Sequence, residues 1–170
     1  RGEGGDEIYL PAFYRAEEGV ARKLSTLLQG KRRRAERVLS PDFLTQLEGK
    51  MGISLAERQK EALMLALEER ILVITGGPGT GKTTIVRGIV SACDALGIEA
   101  CLAAPTGRAA KRLSEATERE AKTIHRLLEF SPAKANFVRD QDHPLQADLL
   151  VIDETSMVDL VLMNHLLKAV

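Results

Sequence analysis

Between Gly76 and Thr84 the chain reads GGPGTGKTT, residue types whose spacing makes a site for a phosphate chain. Gly76, Gly77, Gly79 and Gly81 let the backbone curl until successive N–H groups face one anion, an approach that a Cβ obstructs. Pro78 and Thr80 complete the loop, Lys82 supplies a mobile charge for the β/γ-phosphates, and the Thr83 hydroxyl, followed by Thr84, is a ligand for Mg²⁺. A second chemical feature is the pair Asp153-Glu154, at the end of the apolar run LLVID. Asp153 is suited to hold Mg²⁺ through a water molecule. Glu154 is suited to orient or deprotonate a water that attacks the γ-phosphate. A carboxylate pair of this kind favours hydrolysis over transfer to a small acceptor. ATP and Mg²⁺ are therefore the expected cofactors.

Such groups act only if secondary structure holds them. Ile71–Thr75 (ILVIT) is apolar and mostly β-branched, which predicts a buried parallel strand. A helical pattern follows over about Thr83–Leu96 and is closed by Gly97, so strand, glycine loop and helix form the P-loop context. The helix amino end adds its positive dipole at the same anion. Glu99–Ala104 predicts a second strand, ended by Pro105-Thr106-Gly107, and Arg108–Glu115 begins another helix. Thr123–Leu128 predicts a short helix or turn, Ser131–His143 a loop or hairpin around Asn136–Arg139, and Asp148–Asp153 a third strand. A last helix starts near Ser156, with Val158, Val161, Leu162 and Leu166 on one side. Strands alternating with helices imply a parallel sheet covered on both faces, with ligands at the carboxyl ends of its strands.

Before this pattern lies a polar lead-in, Arg1–Asp6. A helix over Pro11–Gln29 follows, with Phe13, Ala16, Val20, Leu24, Leu27 and Leu28 at apolar spacing. Lys31–Arg37 is strongly basic and reads as a solvated connector rather than a nucleic-acid contact. Ser40 caps a short helix in which Phe43, Leu44 and Leu47 face inward and Gly49 and Gly52 break the pattern. Ser54-Leu-Ala-Glu57 predicts a capping box that starts a helix to about Glu69, with Ala56, Ala62, Leu63, Ala66 and Leu67 apolar. Gln59 sits early in it. The expected division is a helical segment over 1–52 and a P-loop ATPase region over 53–170.

Composition sets the bounds. Over 170 residues, 44% are hydrophobic and 28% charged, within the range of a globular domain. The formal net charge is zero, so a polyanionic partner must be recognised by local charge. No apolar run reaches membrane-span length and no signal-peptide pattern opens the chain, so no membrane partner is expected. Cys93 and Cys101 lack metal-ligand spacing and read as buried thiols of a reducing compartment, which favours a cytoplasmic location. The start at Arg1 and the stop at Val170 inside a helical pattern are expected to be cuts in something longer.

Taken together, GGPGTGKTT, AAPTGRAAKRL, TIHRLL and LLVIDETSMVD resemble, in order, motifs I, Ia, Ib and II of the RecD-like DNA helicases of superfamily 1. YLPAFYRAEEGVARKL resembles the helical segment that precedes the motor in that family. The resemblance implies a RecA-like fold, incomplete here, and a 5′→3′ translocase driven by ATP hydrolysis along single-stranded DNA. It implies that Gln59 reads adenine and that Gly79–Thr84 bind phosphates and Mg²⁺. It further implies that Pro105, Thr106, Arg108, Thr123 and His125 touch or support the DNA strand. Hydroxyls and backbone N–H groups grip phosphates without reading bases, as a sequence-indifferent motor requires. From the residues alone, Thr123 and His125 read as helix capping and packing. Asp140 stands where the family's F…N…PL stretch carries asparagine. A second motor lobe with arginine fingers is expected downstream of Val170, and recombination-complex subunits are expected partners. The competing readings are a non-catalytic nucleotide-switch or partner-binding module, and another P-loop ATPase.

Overall fold

Small apolar residues suit a strand that helices cover on both faces, and Ala100–Ala104 (ACLAA) forms such a strand, β1. The computed structural model describes residues 10–30, 40–77, 79–133 and 135–170. The lead-in Arg1–Asp6, the basic run Lys31–Arg37 and Pro78 lie outside the described residues. The helices are α1 (Pro11–Gln29), α2 (Pro41–Met51), α3 (Glu57–Glu68), α4 (Lys82–Leu96), α5 (Gly107–Thr117), α6 (Ile124–Leu127) and α7 (Leu160–Lys168). The other strands are β2 (Ala121–Thr123), β3 (Phe130–Ser131), β4 (Asn136–Phe137) and β5 (Leu149–Ile152).

β1 is the centre of a parallel sheet in the order β2-β1-β5. Leu102 lies opposite Ala121 and Ala104 opposite Thr123 on one side, while Ala100 lies opposite Leu149 and Ala103 opposite Ile152 on the other. Alternation divides the two faces. Leu102 and Val151 pack with Val90 of α4 and Leu113 of α5. Ala103, Leu150 and Ile152 pack instead with Ile124 of α6 and Leu162 and Leu166 of α7. The chain is thus an α/β layer structure of P-loop type with helices on both faces.

The membership of the sheet differs from the expectation. Among the described residues, Ile71–Thr75 pairs with no strand, although it keeps a strand-like alternation. Leu72 and Ile74 pack on the cluster of Leu63, Ile85 and Ile89, and Val73 is 77% exposed. Apolar and β-branched composition favours an extended backbone, but a strand also requires a neighbour's hydrogen bonds. The third strand is instead Ala121–Thr123, recruited by the free edge of β1.

Three helix boundaries also moved. α2 runs through Gly49 and stops at Gly52, whose φ of +66° ends it. The Ser54–Glu57 capping box does not form. Leu55 is buried in the cluster and its N–H donates to Glu48 Oε1 at 2.6 Å, so the chain stays extended until Ala56 becomes the N-cap of α3. After β5, a single 3₁₀ turn over Thr155–Met157 precedes α7, which opens where Asp159 Oδ1 accepts from Leu162 N at 2.8 Å.

α2 and α3 share one core with α4, through Leu47, Met51, Leu63, Ile85 and Ile89. α1 lies on α7 and buries Ala16 and Gly19. Of the apolar positions at helical spacing, Ala16 is buried, whereas Phe13 and Leu28 are exposed. β3 and β4 form a short hairpin with Phe130 opposite Phe137, in which Asn136–Phe137, expected near the centre of the loop, is the second strand. Among the described residues, no helix is long and apolar enough to cross a membrane.

Candidate nucleotide site

Because β1, β2 and β5 run in one direction, the residues after them gather at one edge of the sheet. These are Pro105–Arg108, His125 just past Thr123, and Asp153-Glu154. α4 belongs to the same edge. It ends at Gly97, β1 opens at Ala100, and Val90 packs on Leu102, so helix and strand run antiparallel. The amino end of α4, with the glycine loop before it, therefore points to the carboxyl edge.

Within the loop, Gly81 is the N-cap of α4 at φ +83°, a backbone state that glycine adopts without steric cost. No side chain caps the helix, so the N–H groups of its first turn have no intrahelical partner and remain available to an anion. Lys82 Nζ donates to the Gly76 carbonyl at 2.6 Å and the Gly77 carbonyl at 2.9 Å. The lysine thus lies folded over the loop, in the position where it would meet a phosphate. Thr80 Oγ1 donates to the Gly77 carbonyl at 2.9 Å, and Thr83 is exposed. Gln59 lies directly against this loop, since a Cβ placed at Gly81 would overlap its Nε2. Its Oε1 accepts from Ala56 N at 2.9 Å, so the cap of α3 fixes the amide with its donor side toward the loop.

The acidic pair is held by backbone. Asp153 N donates to the Ala103 carbonyl at 3.0 Å, and Asp153 Oδ1 accepts from Glu154 N at 2.9 Å. Glu154 is exposed and adopts φ 52°, ψ 41°, a left-handed conformation uncommon for a residue with a Cβ. Thr83 and Asp153 supply hard oxygen donors, which suit Mg²⁺ bound mainly through water and phosphate. Among the described residues no cluster of three His, Cys, Asp or Glu forms a metal cage.

The residues expected at the DNA strand have structural duties of their own. Thr106 Oγ1 caps α5 by accepting from Ala109 N at 3.2 Å, and Thr123 Oγ1 caps α6 by accepting from Arg126 N at 3.2 Å. Pro105 is half-buried and Arg108 exposed. His125 is exposed at the edge of an aromatic group, 6.1 Å from Phe130 and 5.7 Å from Phe137 between ring centres. Arg126, exposed in the same turn, adds a cation that charge alone did not single out. Asp140 Oδ1 accepts from His143 N at 3.0 Å and Asp142 N at 2.9 Å. The His143 bond first, and then the Asp142 bond, hold its carboxyl below the usual carboxylate range. An asparagine oxygen could accept the same two bonds and make the same turn.

A family model described as an AAA domain matches residues 59–170, about two thirds of the chain and all of the site. The chain belongs to the AAA domain family. Its match starts at Gln59 and takes in the loop, both threonine caps and the acidic pair. Relatives extend the likeness toward the amino end. The chain is 41% identical over 169 residues to the ATP-dependent RecD2 DNA helicase of Deinococcus radiodurans, covering 99% of this chain and 22% of that protein. It is 38% identical over 186 residues to the RecBCD enzyme subunit RecD of Mycobacterium tuberculosis, covering 96% of this chain and 31% of that one. A likeness to the ATP-dependent DNA helicase PIF1 of Trypanosoma brucei, 32% identical over 108 residues, covers 64% of this chain and 11% of that protein. The chain spans only about a fifth to a third of the length of the RecD and RecD2 relatives. The expected resemblance to RecD-like helicases is borne out for this AAA domain and for the helices before it.

Proposed function

We propose that this chain is the ATP-binding and hydrolysing portion of a DNA helicase that moves 5′→3′ along single-stranded DNA in repair, recombination or conjugation. The reading is supported by the lysine that folds over the glycine loop before α4 and by the Asp153-Glu154 pair that follows β5, since strand direction puts both toward the carboxyl edge of the sheet. ATP would enter with its phosphates replacing the Gly76 and Gly77 carbonyls as partners of Lys82. The first-turn N–H groups of α4 would hold the same anion, and Gln59 would offer its amide to the adenine. Mg²⁺, held by Thr83 and by Asp153, would neutralise charge developing on the phosphates. Glu154 would take the proton of the attacking water, aimed by its left-handed backbone. Pro105, Thr106, Arg108, Thr123 and His125 would line the path of the DNA strand. A second motor lobe would supply the arginine fingers, recombination-complex subunits would be partners, and the cytoplasm would be the site of action.

The test is ATP turnover with and without single-stranded DNA, for the parent and for Glu154→Gln, in the chain and in a version extended through a second lobe. In the extended protein, Glu154→Gln is expected to keep ATP binding and lose turnover. The chain alone is expected to turn over slowly, since an arginine finger contributes about 10³–10⁵ in rate. Parent-rate hydrolysis by the glutamine variant would overturn the general-base role. Nucleotide-dependent binding of a partner with no turnover by the parent would favour a nucleotide-switch module.

A further inference from the structure

We propose that the groove between α1 and α7 is a separate phosphate-binding surface, shaped for the phosphodiester backbone of a nucleic-acid strand. α7 covers the sheet face opposite α4, so the groove shares no residue with the nucleotide site and does not depend on the hydrolysis reading. Ala16 and Gly19, one turn apart, let α1 close on α7, and a Cβ at Gly19 would overlap Asn164 Oδ1. Asn164 is 8% exposed and its Oδ1 has no hydrogen-bond partner. Asn164 also lines the groove, and its unpartnered oxygen, an acceptor, leaves the cations as the groups able to hold an anion there.

Arg15 and Arg22 of α1 and Lys168 of α7 line the same groove, about 560 Å³ in volume. None of the three forms an ion pair among the described residues. The one acid on the lining, Glu18, already accepts the Tyr14 hydroxyl at 2.9 Å. The groove therefore presents three cations against one carboxylate, a net positive charge. Seven residues separate Arg15 from Arg22, about 10 Å along the helix. That spacing exceeds a single phosphate group, so the two arginines are placed to hold different phosphates of a strand rather than to share one. Guanidinium forks match phosphate oxygens bidentately, so each arginine has a defined way to hold one.

The measurement is anisotropy of a short fluorescein-labelled oligo-deoxythymidine strand over a salt series. It uses the 170-residue chain with Lys82→Ala in every variant, so that the P-loop lysine makes no contribution. Arg15→Gln/Arg22→Gln/Lys168→Gln is expected to weaken binding roughly tenfold or more at low salt. It should also flatten the log–log salt slope by about 2, at about 0.7 per cation. Gly19→Val keeps every charge but drives α1 off Asn164, and is expected to weaken binding likewise, with circular dichroism showing that the helices persist. Parent affinity and slope in the charge variant would overturn the proposal, as would a parent that does not bind the strand. Inorganic phosphate and triphosphate, titrated by calorimetry, form the second arm. A phosphate signal lost in the charge variant with an unchanged strand slope would mark a free-anion site and overturn the nucleic-acid assignment.

Discussion

Gly81→Ala tests the geometry of the loop through two separable costs. The residue sits at φ +83°, where a Cβ costs roughly 1–2 kcal/mol in backbone strain. The new methyl also meets Gln59 Nε2, and moving that side chain breaks the Gln59–Ala56 cap of α3, a loss of about 1 kcal/mol. The sum is a destabilisation of about 2–3 kcal/mol. With an unfolding slope of about 2 kcal/mol per molar urea, the midpoint is expected to fall by about 1–1.5 M. In a Gln59→Ala background only the strain remains, so the same substitution is expected to cost about 1–2 kcal/mol there. The double-mutant cycle therefore predicts a coupling of about 1 kcal/mol between two residues 22 positions apart in sequence. Urea titrations of the four proteins, followed by far-ultraviolet circular dichroism, measure it. Zero coupling would mean that Gln59 does not lie on the loop. A total cost below about 0.5 kcal/mol would mean that the loop is not left-handed at Gly81.

Two further outcomes are expected. Lys82→Ala removes a charge-assisted contact of about 1.5–3 kcal/mol, so calorimetry should show ATP affinity reduced roughly tenfold to a hundredfold, and equal affinity would refute the assignment. Glu48 is held below its usual range chiefly by the Leu55 N–H, with help from Lys60 at 3.5 Å. A carboxyl with a lowered folded pKa stabilises the fold above its unfolded pKa and loses that contribution as pH falls through the folded value. Glu48→Gln should therefore lower the urea midpoint at neutral pH and bring it closer to the parent in acid, whereas a constant gap across pH would contradict the linkage.

The site was more legible than the sheet, for a physical reason. Glycine spacing, the lysine and the strand-end acids encode local geometry that few other arrangements share, so the loop and the Asp153-Glu154 pair could be located residue by residue. Gly97 ends α4 as expected because a left-handed cap is a one-residue property. Strands are different, since they are properties of pairs. Ile71–Thr75 has strand composition but no hydrogen-bonded neighbour among the described residues, whereas Ala121–Thr123 has little strand character and is recruited by β1. The face of α1 was hidden for a related reason. Periodicity selected Ala16 together with Phe13 and Leu28 but missed Gly19, and close contact with α7 buries only the residues small enough to allow it, Ala16 and Gly19. Gln59 carried no structural signal of its own, because its place beside Gly81 arises from the way α3 packs on α4.

Glu154 is a place where the chain forgoes stability. Its backbone state would be relaxed by glycine, and asparagine or aspartate would tolerate it better than glutamate. A sequence optimised only to resist unfolding would therefore not retain this residue. Among the described residues its exposed carboxylate has no hydrogen bond or ion pair that offsets the strain, and Glu118 and Glu129 adopt the same left-handed state. If Glu154 acts on water as proposed, attempts to harden this domain against heat should leave position 154 alone, because the substitutions that relax the backbone there discard that carboxylate.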